Sequence, residues 1–362
     1  MAGDQRLSRV QLMEKLAALD REALQGLVWT AYWRGGSAAR ARIEESLDPE
    51  KAGAAKAAGA AIDVPSLALD VGRFDELARS GAYWGGSREV SPKERRLWRV
   101  TFRGLLDDAT ALVERGAVED GAPLLAILLD LANDSRGVYR FHSEDPVAAL
   151  KLVFSDRVGI LWRATLHRLG FDAFATSAAV QIIRWEAPYG WTNGEVKAVR
   201  EKETTLTALL KELVHGADAW LAFARAHVQA LDRLVPPPSA AAPKTRARRW
   251  EHERKAQERA RGAERRAERL AELHTALVDA LLGTDGEGLL EALARHAALG
   301  GPERTFIAAR LAAHRGRLTE ARALIERCLA ELPGRASFLD LATKVGAQIP
   351  PHPERTIVIL RR

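Results

Sequence analysis

Residues 91–106 read SPKERRLWRVTFRGLL, and this stretch predicts the start of a long helix that faces a hydrophobic core. Ser91 suits the N-cap, Pro92 suits the first turn because its missing N–H needs no partner there, and Glu94 completes a capping box. The apolar residues that follow recur every three or four positions, as on the buried face of a helix. These residues are Trp98, Phe102, Leu105, Ala109 and Leu112. We therefore expect the aromatic rings to be buried.

Three arginines, Arg95, Arg99 and Arg103, follow the edge of that apolar stripe at intervals of four residues. Their aliphatic stems can cover apolar surface while their guanidinium groups reach carboxylates or phosphates. Base stacking requires exposed rings, and the rings beside these arginines are expected to point inward. We interpret the arginines first as structural and second as a nucleic-acid contact.

The rest of the chain also predicts helices, and the expected fold class is all-α. The 362 residues are 47% hydrophobic and 28% charged, which is typical of folded soluble proteins. Helix-forming Leu and Ala dominate, whereas strand-favouring residues such as Tyr, with 4 copies, are sparse. Further helices are expected near 122–133, 145–169, 173–185, 194–214 and 217–234, the last two continuous or kinked at Gly216.

The stretch PPPSAAAP at 236–243 cannot continue a helix and is the clearest linker in the chain. It separates a predicted α-helical domain, 1–235, from everything that follows. A basic helix is expected over 244–270 and helical-hairpin repeats over 271–347. The tail, 348–362, contains the apolar run TIVIL, which either packs on the last helices or adds to a partner's sheet or groove.

The basic segment carries the excess charge of the protein. Residues 244–270 contain 11 Lys/Arg and 5 Asp/Glu, a net charge of +6, which equals that of the whole chain. These cations can neutralise phosphates, and a tryptophan among them can stack on a base. A solvated helix held by Glu/Arg pairs is the alternative. The nucleic-acid candidates are Arg246, Arg248, Arg249, Trp250, Arg254, Lys255 and Arg259, with no sequence specificity implied.

One C-terminal segment resembles a known repeat family. The run GRLTEA at 316–321 follows small residues in the preceding helix and precedes a proline at the expected end of the next. The residues concerned are Ala308, Ala309, Ala312, Ile325, Cys328, Leu329 and Pro333. This pattern resembles the tetratricopeptide repeat, which implies antiparallel helix pairs and a protein-interaction platform. The stretches GAYWGGSREVSPKERRLWR and FHSEDPVAAL also resemble segments of bacterial helical proteins, a resemblance that implies no function.

The sequence lacks the common signatures of enzymes and cofactor sites. It contains no GxxxxGK[ST], GxGxxG, HExxH, GxSxG or CxxC. A single cysteine, Cys328, excludes an intramolecular disulfide and a Cys-rich metal site. Glu212, His215 and Asp218 have a spacing that metal ligands use, but they fall on the face opposite the apolar residues of their helix. We therefore expect no metal site there and no cofactor.

A tryptophan-rich loop is the first place to look for a small-molecule pocket. The pocket candidates are Trp185, Glu186, Tyr189, Trp191 and Asn193. Aromatic loop residues can line a ligand site with polar side chains as handles. They also serve as plugs that seat a connection on the core, which is the interpretation we favour because exposed tryptophans are costly.

The function that these patterns favour is that of a non-enzymatic scaffold or adaptor which binds a protein partner through its helical repeats. The rival is a nucleic-acid-binding accessory protein that uses 244–270 together with the arginine flank. An enzyme of unrecognised type with a pocket at 185–193 is a third hypothesis. Neither a signal peptide nor an apolar run of about 18 residues is present, so the sequence predicts a cytoplasmic protein without a membrane span. Oligomeric state does not follow from the sequence.

Overall fold

A computed structural model describes residues 14–34, 40, 43, 47, 62–84, 92–138, 140–142, 144–192, 196–235 and 246–350. Ser91, Asn193, the 236–243 linker and the TIVIL run of the tail lie outside the described residues. The described backbone is almost entirely helical, and its one isolated β-bridge joins Phe141 and Glu144. The predicted all-α class is confirmed.

The helices are numbered in chain order. They are α1 Arg21–Arg34, α2 Val64–Arg79, α3 Pro92–Glu114, α4 Val118–Asp134, α5 Pro146–Leu150, α6 Phe154–Leu169, α7 Phe171–Trp185, α8 Lys197–Arg200, α9 Leu206–Leu213, α10 Ala217–Asp232, α11 Arg246–Arg269, α12 Ala271–Leu281, α13 Glu287–Arg295, α14 Gly301–His314, α15 Leu318–Glu331 and α16 Ala336–Val345.

Helix α3 buries the apolar stripe that its sequence predicts. All five stripe residues are buried, and Trp98 and Phe102 have no exposed surface. The Trp98 ring stacks on Phe141 with centroids 4.3 Å apart, and Phe102 contacts Phe74 of α2 at 5.3 Å. Aromatic pairs at these distances add to the stabilisation from burial. The prediction that these rings face the core is confirmed.

The prediction of a single helix at 145–169 is wrong, because the chain forms two helices there. Asp145 caps the first of them as predicted, accepting from the N–H groups of Val147 and Ala148. Lys151 then adopts a left-handed conformation, with φ of 52°, and its N–H bonds back to the Ala148 carbonyl. A residue in this conformation ends a helix, so α5 stops after five residues and α6 begins at Phe154.

Two other long helices are also interrupted. In place of a helix at 194–214 the described residues form α8 and α9, because Thr205 caps a new helix by accepting from the Ala208 N–H. Gly216 has a φ of 82° and separates α9 from α10, so these two are not continuous. The basic helix expected over 244–270 forms α11, which ends at Arg269, and Leu270 separates it from α12.

The main hydrophobic core includes residues from both sides of the predicted linker. One cluster of buried side chains extends from Leu67 of α2 to Leu311 of α14. Helix α12 contributes Leu273 and Leu277 to this cluster and packs against α9, α10 and α14. Helices that follow the linker in sequence are therefore part of the same packed interior as those that precede it.

A second, smaller cluster lies among the C-terminal helices α14, α15 and α16. Residues 315–317 reverse the chain between α14 and α15, with Gly316 at φ of 71°. Ala309, Ala312 and Ala321 are buried where these two helices meet, as the spacing of small residues predicts. The close approach of backbones at small residues produces a helical hairpin. Its assignment to the tetratricopeptide family stays a prediction.

Within the described ranges, no helix combines the length and the apolar character that are needed to cross a membrane.

Candidate functional site

The basic helix α11 has an anchored C-terminal half. Ala263 and Ala267 are buried, and the Arg266 guanidinium donates to the Ala298 carbonyl at 2.6 Å. Gly301 lies so close to α11 that a Cβ at this position would approach Glu264 Cγ to 2.9 Å. Its φ of 67° also favours glycine. The start of α14 therefore packs tightly on this half and holds the whole helix in position.

The N-terminal half of α11 projects from the body of the protein. Every residue from 250 to 261 is exposed, so no face of these three turns packs on other described residues. The Trp250 ring is 65% exposed, and the Arg254 guanidinium lies 5.6 Å from its centroid. Lys255 forms an ion pair with Glu251 at 2.7 Å, and Arg259 donates to the Lys255 carbonyl. Cations and one aromatic ring are thus presented to solvent on a rigid support.

The other nucleic-acid candidates are placed less favourably or lie outside the described side chains. The backbones of Arg246, Arg248, Arg249 and Arg95 are helical, but their side chains are not among those described. On α3, Arg99 lies 3.4 Å from Glu144. Arg103 donates to the Leu150 carbonyl at 2.9 Å. Both described members of the arginine flank therefore contact the segment next to α3.

The tryptophan-rich loop is seated on the core. Trp185 and Trp191 are both buried, and each indole N–H has a partner, Asp130 for the first and the Trp185 carbonyl for the second. Tyr189, in contrast, is 79% exposed. Because Trp185 and Trp191 are buried, Tyr189 is the aromatic residue of this loop, among those described, that can contact a ligand.

Glu186, the polar member of that loop, caps a helix that is remote in sequence. Its buried carboxylate accepts from the Thr207 N–H and hydroxyl at 2.9 and 2.8 Å, and from the Leu206 and Ala187 N–H groups. These donors include the unpaired N–H groups at the start of α9. Burial raises the pKa of Glu186, and the hydrogen bonds oppose that rise. The arrangement stabilises the fold and occupies both carboxylate oxygens.

A second remote cap was not predicted. Glu203 accepts from the Phe154 N–H, the Ser155 N–H and the Ser155 hydroxyl at the start of α6. Burial raises its pKa, and its hydrogen bonds act in the opposite direction. The capping carboxylate is 49 residues from the Phe154 N–H that it accepts from, so no local sequence signal could have identified it.

Three histidines form a buried group that sequence reasoning also missed. His227 of α10 and His274 of α12 are buried, with their Nε2 atoms 3.3 Å apart. His296 lies nearby and contacts Asp232 at 3.1 Å. Burial lowers the pKa of His227 and that of His274, the latter to about 4. Each histidine stands alone in its own stretch of sequence, so only the packing of the helices brings them together.

Metal-ligating residues do not converge in the described part of the chain, where no group of three or more His, Cys, Asp or Glu side chains could hold an ion. Glu212, His215 and Asp218 are exposed, but they do not share one helix as predicted, because Glu212 lies on α9, His215 lies between α9 and α10, and Asp218 lies on α10. Cys328 is buried, which raises the pKa of its thiol to about 12. A thiol with so high a pKa is a poor nucleophile at neutral pH.

No protein-family model, curated protein sequence or solved structure matches the chain.

Proposed function

We propose that the protein is a non-enzymatic interaction scaffold that binds a protein partner on its C-terminal helices. The observation that carries this proposal is the packing order of α13 to α16. Each of these helices packs chiefly on its neighbours in sequence, α13 on α14, α14 on α15 and α15 on α16. Such nearest-neighbour packing is the mark of helical-repeat proteins, which use the extended surface of the stack for binding.

The division of the core supports the same proposal. Helix α14 contributes Ile307 and Leu311 to the main core and Phe306 and Ala309 to the second cluster. The C-terminal hairpin is therefore attached rigidly to a large helical body, and α15 and α16 keep one side free of that body. A partner bound on α15 and α16 would have a fixed orientation relative to the helices of the main core.

Cross-linking of the full-length chain in extracts of the source cell tests this function. Charge reversal at Arg327 and Lys344, both exposed on α15 and α16, should abolish cross-links between a partner and residues 318–345. The matched control is Arg225→Glu on α10, which is also exposed and should leave the cross-links unchanged. A partner that cross-links elsewhere, or that is retained by the double reversal, would contradict the proposal. Deletion of 284–347 is a poor test, because Leu290 and Leu293 belong to the main core.

A second function, binding of single-stranded nucleic acid by α11, is favoured by one specific observation. Trp250 is exposed on a projecting basic helix and has Arg254 beside its ring. Exposed aromatic rings that stack on bases, together with cations that contact phosphates, are the two components of sequence-independent recognition of single strands. In this respect α11 differs from α3, whose tryptophan, Trp98, is buried and cannot stack on a base.

The salt dependence of binding to a labelled single-stranded RNA tests the second function. Replacement of Arg254, Lys255 and Arg259 by Gln should reduce the slope of log K against log salt by about 2, at roughly 0.7 for each phosphate that is no longer neutralised. Trp250→Ala should weaken binding by about 1–3 kcal/mol and leave the slope unchanged. The control replaces Lys202, Arg225 and Arg233, which are exposed on other elements. Absence of binding at low salt, or an equal effect of the control, would discard this function.

A further inference from the structure

A charged cleft lies between α3 and the α5–α6 connection, in the N-terminal body of the protein. It encloses about 350 Å³, a volume within the range of small-molecule sites. Its apolar wall includes the half-buried side chains of Val153 and Ile160, together with the buried Leu106, Leu150 and Leu152. The charged residues that line it are Arg103, Asp107, Lys151, Asp156 and Arg157. An apolar wall with a few convergent charged groups is the usual composition of a ligand pocket.

Two cations of the cleft, Arg103 and Lys151, have no carboxylate partner among the described residues. Arg157 and Asp107 neutralise each other through a hydrogen-bonded ion pair of 2.7 Å. Arg103 is held by a bond from one Nη atom to the Leu150 carbonyl, which places its guanidinium beside the residue that precedes Lys151. Lys151 is exposed, and its ammonium group has no hydrogen bond or ion pair to any described residue. Arg103 and Lys151 are therefore available to an anion.

The backbone at Lys151 is unusual for a lysine. The residue lies at the end of α5 with a φ of 52°, and the next N–H, that of Leu152, bonds back to the Val147 carbonyl. Glycine is the residue that normally occupies this position at the end of a helix, because a Cβ is disfavoured there. Lys151 therefore combines a strained backbone with an exposed charge at the cleft, and strain of this kind is often kept at functional sites.

We propose that this cleft binds a small organic anion. The carboxylate or phosphate group of the ligand contacts Arg103 and Lys151, and its apolar body rests on the half-buried side chains of Val153 and Ile160. The two cations supply charge-assisted hydrogen bonds to the anionic group, and Val153 and Ile160 remove the apolar part from water. Asp156, whose carboxylate is also on the rim, disfavours ligands with more than one adjacent negative charge. This site is independent of both functions proposed above.

Displacement of 1-anilinonaphthalene-8-sulfonate from the full-length protein tests the proposal. Octanoate or octyl phosphate should displace the dye at concentrations at least tenfold lower than octanol does, because octanol has the same chain without the charge. The two anions distinguish a carboxylate ligand from a phosphate ligand. The wider cleft of about 650 Å³ beside Val28 and Trp29 is lined by Arg21 as well as by apolar residues, and displacement of dye bound there should be unaffected by substitution of Lys151.

Lys151→Gly is the decisive variant, because glycine suits the left-handed backbone and the protein should fold at least as well as before. It should raise the octanoate concentration needed for displacement by about tenfold, and Arg103→Gln should have a similar effect. The matched control is His142→Gly, at the other described non-glycine residue with positive φ, 50°, which does not line the cleft. Equal displacement by octanol, or unchanged displacement in Lys151→Gly, would overturn the proposal.

Discussion

The imidazole rings of His227 and His274 meet edge to face across the interface of α10 and α12, with Nε2 atoms 3.3 Å apart. One Nε2 must donate and the other must accept if they share a hydrogen bond, so the two rings cannot both be charged. Both rings are buried, and burial lowers both pKa values, that of His274 to about 4. At neutral pH both histidines are therefore uncharged, and their contact joins α10 to α12.

Acid should destabilise the protein through this pair. The folded-state pKa values lie below the unfolded value of about 6.5, so the unfolded chain binds more protons as the pH falls. Stability is fully present above pH 6.5 and is lost as the pH drops toward 4, by on the order of 2 kcal/mol at pH 5 from His274 alone, and the lowered pKa of His227 acts in the same direction. His296, which contacts Asp232 at 3.1 Å, lies beside the pair. Urea unfolding at pH 7.5 and pH 5 measures the difference in the free energy of unfolding.

The control for this prediction is the double variant His227→Leu and His274→Met, which removes both titrating groups and keeps apolar volume at the interface. Its free energy of unfolding should change less between the two pH values than that of the parent protein. An identical pH dependence in the two proteins would assign the acid sensitivity to other groups.

Removal of the Glu186 carboxylate should destabilise the fold, because it leaves the Thr207 hydroxyl and several N–H groups without their acceptor. Glu186→Ala is expected to lower the free energy of unfolding by about 2–3 kcal/mol, as for other buried donors that lose their partner. Glu212→Ala, at an exposed carboxylate, should change it by less than about 0.5 kcal/mol. Similar effects for the two variants in urea unfolding would contradict the capping role.

The two tryptophans near the start of α3 should differ in their effect on stability. Trp98 is fully buried against Phe141, whereas Trp84 is 63% exposed. Trp98→Ala is expected to cost about 3–5 kcal/mol, since it leaves a cavity in the core, and Trp84→Ala should be close to neutral. Thermal or urea unfolding of both variants measures this. A neutral Trp98→Ala would show that the aromatic cluster of α2 and α3 does not stabilise the fold.

The thiol of Cys328 should report the opening of the C-terminal helices. It is the single cysteine of the chain and lies buried in the second cluster, so a thiol reagent reaches it only when α14–α16 separate. In a helical stack, peripheral units open at lower cost than the whole molecule. Labelling at pH 8 should therefore accelerate at urea concentrations that leave the tryptophan fluorescence of the main core unchanged. Simultaneous transitions would indicate one cooperative unit.

Periodicity in the sequence was sufficient to predict that the chain is helical and which face of α3 is buried. The stripe from Trp98 to Leu112, the Asp145 cap and the small residues between α14 and α15 all lie where local spacing indicated. Helix interruptions were harder to predict. The left-handed turn at Lys151 uses a residue that usually continues a helix, and the break at Leu270 has no glycine or proline to mark it.

The candidate sites were also predictable from the sequence only in part. The exposed Trp250 and Arg254 lie on a strongly basic segment, so composition alone drew attention to them. The same reasoning offered Trp185 and Trp191 as lining a pocket or as plugs, and burial of both rings favours the second use. A sequence shows which side chains are present, whereas their exposure depends on what packs against them.

The amino-acid sequence by itself determined the all-helical class, the inward face of α3 and the concentration of positive charge on α11. The first two properties depend on residues three or four positions apart, which are neighbours in any helix, and the third depends only on composition. Only the tertiary structure decided that Glu186 and Glu203 cap distant helices, that His227 meets His274, and that Arg103 and Lys151 border one cleft. The members of each pair are far apart in the chain, and their contact depends on how the helices pack.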